Sequence, residues 1–480
     1  MRLEIALTLG ETAKAVRGTL QGRGDFPVPG ISTDSRSVGP GELFVALRGP
    51  NFDGHEYIPE ARARGAAAVL SEKELPEKST PAVVVVPDTL RALGDLARHY
   101  RDKFPVPLVA ITGSNGKTST KEILTAILRK AWGEDRVLGS SGNFNNQVGV
   151  PLTLFTLRKK QRAAVLEFGT NQEGEIARLG KIAAPTIGVI TNVGSSHLAG
   201  LGGIEGVARE KESLLFSLPA GIGRAVLNAD DPRVLAMASR YRARGGEVVL
   251  FGLSPEAAVR ANGIRPREWG LELEVEFPRQ RFPVALKFPG VSGVRNVLAA
   301  GAAAFTLGLN PEEIVSAWEG LKPFPGRLDP VLSGRGYWVI DDTYNANPNS
   351  TAEALQVLSE RRSLAGARSG RGQAWAILGE MLELGDEARE AHFRVGEQAA
   401  RLGIDCLVLL DSPDGAIRAL SEGARAAGMA GEKILVFPDH GRLLEGIRRL
   451  IAPEDLVLVK GSRATRMDQV VKTLVEDHDL

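Results

Sequence analysis

A chain of 480 residues, 43% hydrophobic and 24% charged, is too long for one hydrophobic core and too apolar to remain disordered, so three folded domains are expected. Lys and Arg number 59 against 58 Asp and Glu, a formal net charge of +1, which speaks against a nucleic-acid-coating surface. The single cysteine, Cys406, excludes an intrachain disulfide framework and a cysteine-only metal site, and no run reaches the roughly 18 apolar residues of a membrane-spanning helix. With acidic Glu4 and Glu11 near its start, the chain does not read as exported, and a cytoplasmic location without membrane insertion is expected.

Residues 1–104 carry strands and helices of their own. Ile31 to Arg36 leads through Gly39-Pro40-Gly41 to the apolar run Leu43–Leu47, followed by a helix near 57–64, strands at 66–70 and 82–86, and a helix at 89–103 that ends before Pro105. In Ser32-Thr33-Asp34-Ser35-Arg36, taken alone, Asp34 and Arg36 suit a turn ion pair.

The central segment, 105–325, opens with the buried-strand pattern Leu108-Val109-Ala110-Ile111. It runs into Thr112-Gly113-Ser114-Asn115-Gly116-Lys117-Thr118-Ser119 and then into a helix with Ile123, Leu124, Ile127, Leu128 and Ala131 on one face. A glycine loop at a helix N-terminus is a phosphate site. Gly113 and Gly116 allow the backbone to approach the anion, Lys117 reaches the outer phosphates, and the Thr118 hydroxyl is placed for Mg²⁺. The loop is one residue pattern shorter than the ordinary P-loop, with Ile111 where a glycine would stand.

After it, Asn143, Asn145 and Asn146 sit in a glycine-bounded loop that suits either a polar substrate or a plain turn. Glu167 closes the strand Ala163–Leu166, where a carboxylate can reach a phosphate-bound metal. His197 follows Asn192-Val193-Gly194, and Lys211 lies between Glu210 and Glu212; each is unremarkable alone. Alternation over 271–277 and 282–288 marks an antiparallel hairpin, and a helix near 294–307 carries Arg295-Asn296. The proline cluster around Pro323 and Pro325 sets the next boundary. Residues 326–480 then alternate strands (337–340, 374–378, 406–410, 434–437, 456–459) with helices, as a doubly wound Rossmann-like sheet does. Asp341-Asp342 replaces a dinucleotide glycine motif, Lys460-Gly461-Ser462-Arg463 suits a phosphate or carboxylate, and 365–372 looks flexible.

In this order, the shortened loop, Glu167, Asn-Val-Gly before His197, Lys211, Gly326-Arg327 and Asp341-Asp342 resemble the Mur ligases, ATP-dependent amide-forming enzymes of peptidoglycan synthesis. Asn143-Phe144-Asn145-Asn146, Leu378–Gly385 and Val459–Arg463 resemble the fourth ligase of the series, which adds D-alanyl-D-alanine to UDP-N-acetylmuramoyl-tripeptide. The resemblance implies an α/β protein of three domains: a small N-terminal nucleotide-sugar domain, a central P-loop-type ATPase domain with a mostly parallel sheet and an added antiparallel hairpin, and a C-terminal domain that closes on ATP and receives the dipeptide. It also implies ATP contacts at Thr112 to Ser119, Asn296, Arg327 and Asp342, and substrate contacts at Ser32 to Arg36, Asn143, Asn145, Asn146, Asn347 and Lys460. Lys117, Glu167, His197 and Lys211 would be catalytic. Two Mg²⁺ sites are implied, drawn from Thr118, Glu167, His197 and Lys211, the last as a CO₂-derived carbamate. The family commonly shows His-Asn with a second Asn three positions on, whereas here Arg295-Asn296 is followed by Ala299. A monomer is expected.

The rival readings are the preceding, diamino-acid-adding ligase, whose Asp-Asn-Pro-Arg motif is absent; folylpolyglutamate synthase, which starts close to its P-loop; a P-loop kinase or ATPase that joins nothing; and a nucleotide-binding scaffold.

Overall fold

The computed structural model describes residues 1–480 except 76–81, 196–197, 268, 370–371, 413–414 and 477–480, and without the side chains of Ala199 and 363–369. The described residues form three main sheets in chain order. In the first, strands Pro27–Ser32, Leu43–Val45, Ala68–Ser71 and Ala82–Val85 run parallel, with Arg2–Thr8 and Thr19–Gln21 added antiparallel at the two edges. Neither edge strand is predicted above. Nor is the helix Leu9–Ala15, which starts at a Thr8–Glu11 capping box.

The central sheet has the order Val137–Gly139, Ala163–Glu167, Leu108–Thr112, Ile187–Ile190, Arg224–Asn228, Glu247–Gly252 and Val259–Arg267, all parallel, then Gly270–Phe277 and Gln280–Leu286 antiparallel. Its middle strands are apolar throughout because both faces are covered. Leu108 and Ala110 enter the core shared with the first sheet, while Val109 and Ile111 enter the core under helices Lys117–Trp132 and Val291–Thr306. The shared core is sealed by Tyr100, whose ring lies 5.1 Å from Phe104 and 5.8 Å from Phe155.

On the other face, fully buried Trp318 stacks on Phe277, with centroids 6.0 Å apart, and fills the space that a Cβ on Gly301 would enter, 2.3 Å from its Cζ2. Trp318→Ala is therefore expected to destabilise the central domain by about 3–5 kcal/mol, read as a lower urea midpoint by far-ultraviolet circular dichroism.

The third sheet has the order Asp329–Leu332, Trp338–Asp342, Leu456–Lys460, Ala374–Leu378, Cys406–Leu410 and Ile434–Phe437, parallel except for its first strand. That antiparallel edge strand adds to the five strands predicted for the doubly wound domain. A correction concerns 365–372: the helix Pro348–Ser369 continues to Ser369, while 370–371 lie outside the described residues. No helix among the described residues is long and apolar enough to cross a membrane.

Candidate active site

The strand Leu108–Thr112 has Ala163–Glu167 on one side and Ile187–Ile190 on the other, so the chain leaves it in opposite directions. A crevice opens at the carboxyl ends of strands at such a point. Here it is a cavity of about 980 Å³ walled by the phosphate loop, the asparagine loop, the helix bearing Lys211, the start of the helix Val291–Thr306, and the ends of two strands of the third sheet.

The loop is built by its glycines. Gly116 has φ of +79° and a Cβ there would meet Asn296 Oδ1 at 2.1 Å; a Cβ on Gly113 would meet Thr191 Oγ1 at 1.8 Å. Lys117 folds back over the loop, donating to Gly113 O at 2.7 Å and Ser114 O at 3.1 Å, and burial lowers its pKa, aided by nearby Arg327 and opposed by Glu167. Thr118 donates through its hydroxyl to Glu167 Oε2 at 2.6 Å, and Asn145 Nδ2 donates to Glu167 Oε1 at 2.8 Å. Lys211 is buried. Desolvation first, and Lys117 second, push its pKa well below the ordinary lysine value, against the pull of Glu210.

Other expected residues take different places. Thr112 is buried beneath the loop, its hydroxyl donating to Phe168 O, and neither it nor Gly113 lines the cavity. Asn143 lines it, but Asn146 Oδ1 accepts from Val148 N and Gly149 N, so the plain-turn reading describes that side chain. Asn296 lines the cavity and buttresses the loop helix near Gly116 and Thr120. Ser32, Thr33, Asp34, Ser35 and Arg36 lie in the first domain, outside this cavity. There Asp34 caps a short turn and receives Arg36 Nε at 2.9 Å and Nη2 at 2.8 Å. Their distance from the phosphate loop follows from the sheet to which they belong. His197 lies outside the described residues.

From the third sheet, Asp342 uses one carboxylate oxygen for Lys460 Nζ at 2.5 Å and the other for Leu328 N at 3.1 Å. Lys460 is buried and also donates to Asn345 O. Arg327 lies over the Tyr344 ring at 3.9 Å. Asn347 donates from Nδ2 to Asn115 Oδ1 at 2.6 Å, which brings the C-terminal domain directly onto the phosphate loop.

Three segments match models of one family: the Mur ligase family catalytic domain at residues 27–101, the Mur ligase middle domain at 111–304, and the Mur ligase glutamate ligase domain at 326–463. The UDP-N-acetylmuramoyl-tripeptide–D-alanyl-D-alanine ligase of Escherichia coli (strain K12) is 36% identical over 478 residues, spanning 98% of this chain and 99% of its own. The chain belongs to the Mur ligase family. Among solved Mur ligases, MurF from Acinetobacter baumannii superposes with a TM-score of 0.88 at 30% identity over 99% of this chain and 100% of its own. MurF from Thermotoga maritima, in complex with ADP, gives 0.81 at 29% identity over 92% and 96%.

Several residues of this Mur ligase site were not assigned from sequence. Asn192 clamps Asn115, accepting from its N–H through Oδ1 at 2.9 Å and donating from Nδ2 to its carbonyl at 3.1 Å. Asp231 Oδ2 accepts from Val193 N, and Asp230 pairs with Arg295 Nε at 3.0 Å, the partner that an arginine at this position requires. Buried Glu210 accepts from Gly174 N and Ile176 N at 2.7 Å each and fixes the loop beside Lys211. Strand-end position was the signal for Asp230 and Asp231, with a motif of the resemblance added for Asn192, and neither names a partner.

Proposed function

We propose that this chain joins D-alanyl-D-alanine to the terminal carboxylate of UDP-N-acetylmuramoyl-tripeptide at the expense of ATP, in peptidoglycan precursor synthesis. The observation that carries the reading is one cavity holding Lys117, Thr118, Glu167 and Lys211 from the central domain and Arg327, Asp342 and Lys460 from the last, in a chain that matches such ligases along its length. In this reading residues 1–104 bind the nucleotide sugar through Ser32 to Arg36, 105–325 bind ATP, and 326–480 bring the dipeptide, with Asn347 and Lys460 on that side. The enzyme works as a cytoplasmic monomer.

A carboxylate and an amine do not condense in neutral water. The tripeptide carboxylate therefore attacks the terminal phosphorus of ATP, ADP departs, and an acyl phosphate forms. The dipeptide amine then adds to the acyl carbon, and the tetrahedral intermediate expels inorganic phosphate. Lys117, held by two loop carbonyls, offsets charge on the transferring group. Asn143 and Asn145 orient the acceptor peptide, and Arg327, already close to Lys117, screens the phosphates from the opposite wall.

The residues suit Mg²⁺: a hydroxyl and a carboxylate, Thr118 and Glu167, lie buried together and supply hard oxygen donors. Lys211 as a carbamate, and His197, would complete two such sites, and the metal would neutralise phosphate charge. The test is phosphate release with Mg-ATP and UDP-N-acetylmuramoyl-tripeptide, supplied with D-alanyl-D-alanine, a free diamino acid, or no amine. Release dependent on D-alanyl-D-alanine, with one new amide per phosphate, is expected; release indifferent to the amine would reject the ligase reading.

A further inference from the structure

The helix Pro348–Ser369 of the C-terminal domain meets the central domain at its start and again near its middle. At its start, Asn347 caps it, with Oδ1 accepting from Ser350 N at 2.9 Å, while Nδ2 reaches Asn115 of the phosphate loop; Asn349 stands where a Cβ on Gly194 would meet its Nδ2 at 2.8 Å. Further along, positions 353, 357 and 361 fall on one stripe at intervals of four. Glu353 hydrogen-bonds Ser292, Val357 packs so tightly on Gly290 that a Cβ there would be 2.8 Å from its methyl, and Arg361 closes the row.

Arg361 is 2% exposed, an unusual burial for a guanidinium, and it reaches backbone carbonyls across the domain boundary. Its Nη1 donates to Arg267 O, and its Nη2 donates to Gly270 O at 3.1 Å and to Pro289 O at 2.5 Å. All three carbonyls belong to the central domain. Two flank the hairpin turn between Val259–Arg267 and Gly270–Phe277, and the third precedes the helix that carries Arg295 and Asn296. Beside this contact Trp269, from the same turn, packs against the C-terminal core with its ring 4.7 Å from Trp338, the first residue of the strand that ends in Asp341-Asp342.

We infer that Arg361 is a positioning residue for ligation: by holding three central-domain carbonyls it sets the angle of the helix Pro348–Ser369, and so the place of Arg327, Asp342 and Lys460 opposite the phosphate loop. A flexible cation on a rigid helix suits this task, since its planar fork takes several acceptors in one geometry. The inference rests on the ligase reading, and it adds a residue far from the reacting atoms whose loss acts on turnover. The loop itself and Asn296 belong to the central domain, so the effect on ATP comes only through Arg327 and Asp342.

The experiment compares the full-length parent chain with Arg361→Met and Arg361→Lys. The readouts are kcat and KM for each substrate by phosphate release, together with the exciton couplet of the Trp269–Trp338 pair in circular dichroism, identified by its loss in Trp269→Phe. Arg361→Met is expected to lose about tenfold to a hundredfold in kcat and to lose the couplet. Arg361→Lys, which keeps the charge but not the fork, is expected to lie between the two in both readouts. The inference is overturned if a folded Arg361→Met keeps the parent kcat, or if it loses kcat while keeping the parent couplet. Should Arg361→Met not fold, Arg361→Lys decides: the parent's kcat overturns the inference and an intermediate kcat supports it. A parent chain without dipeptide-dependent release would instead sink the ligase reading, so the two failures are separable.

Discussion

Lys117→Ala is expected to reduce phosphate release by about a thousandfold while leaving the fold unchanged, because the residue supplies a cation at the transferring group and little to the core. Its Nζ is held by Gly113 O and Ser114 O, a nest sized for an ammonium. Arginine would bring charge in a longer and wider head than the ammonium held between the Gly113 and Ser114 carbonyls. Lys117→Arg should therefore fail almost as badly as the alanine variant. Steady-state rates for both, with unfolding midpoints as the check on structure, test this. A Lys117→Arg enzyme with parental turnover would show that charge alone suffices.

Lys211→Met is expected to abolish ligation and at the same time to raise the thermal midpoint of the protein kept free of CO₂. The two effects have one cause. Burial and Lys117 depress the Lys211 pKa, so folding must strip its proton, a cost that is absent from methionine. The sign follows from linkage: between the folded value and the ordinary lysine value the unfolded chain binds the extra proton, so this cost shrinks as pH rises toward the latter. A neutral amine is also the form that adds CO₂, giving a carbamate anion and releasing one proton. With ¹³C-bicarbonate, the parent should show a carbamate carbon resonance that Lys211→Met lacks, and acidification through the folded pKa should erase it together with activity. A lower thermal midpoint for Lys211→Met in CO₂-free buffer would contradict this account.

The strands at 374–378, 406–410 and 434–437 were legible to the residue, since continuous apolar runs between turns leave few alternatives once both faces of a sheet are buried. The phosphate loop was legible for a different reason: glycine positions and a lysine at a helix start constrain one another. Strand Val259–Arg267 was not anticipated, because Asn262-Gly263 and Pro266 read as turn chemistry, and the register indeed slips between Asn262 and Arg265. Arg2–Thr8 is an edge strand with only Leu3 and Leu7 fully inside, too weak a pattern to commit to. In the site, the strand end brings Glu167 to the Thr118 hydroxyl, Asn146 serves its own turn, and Lys460 pairs with Asp342. Arg361 had no signal, for the three central-domain carbonyls it holds are backbone and carry no residue identity.

The ties that flanking segments make to the phosphate loop are neutral: both amide atoms of Asn192 on Asn115, Asn347 on the Asn115 side chain, and Ser114 exchanging hydrogen bonds with Gly194. None of these groups gains or loses a proton in the working range, and ionic strength screens none of them appreciably. These ties thus keep their strength as pH and salt vary, which leaves the Lys117 ammonium, whose pKa burial lowers, as a titratable tie within the loop.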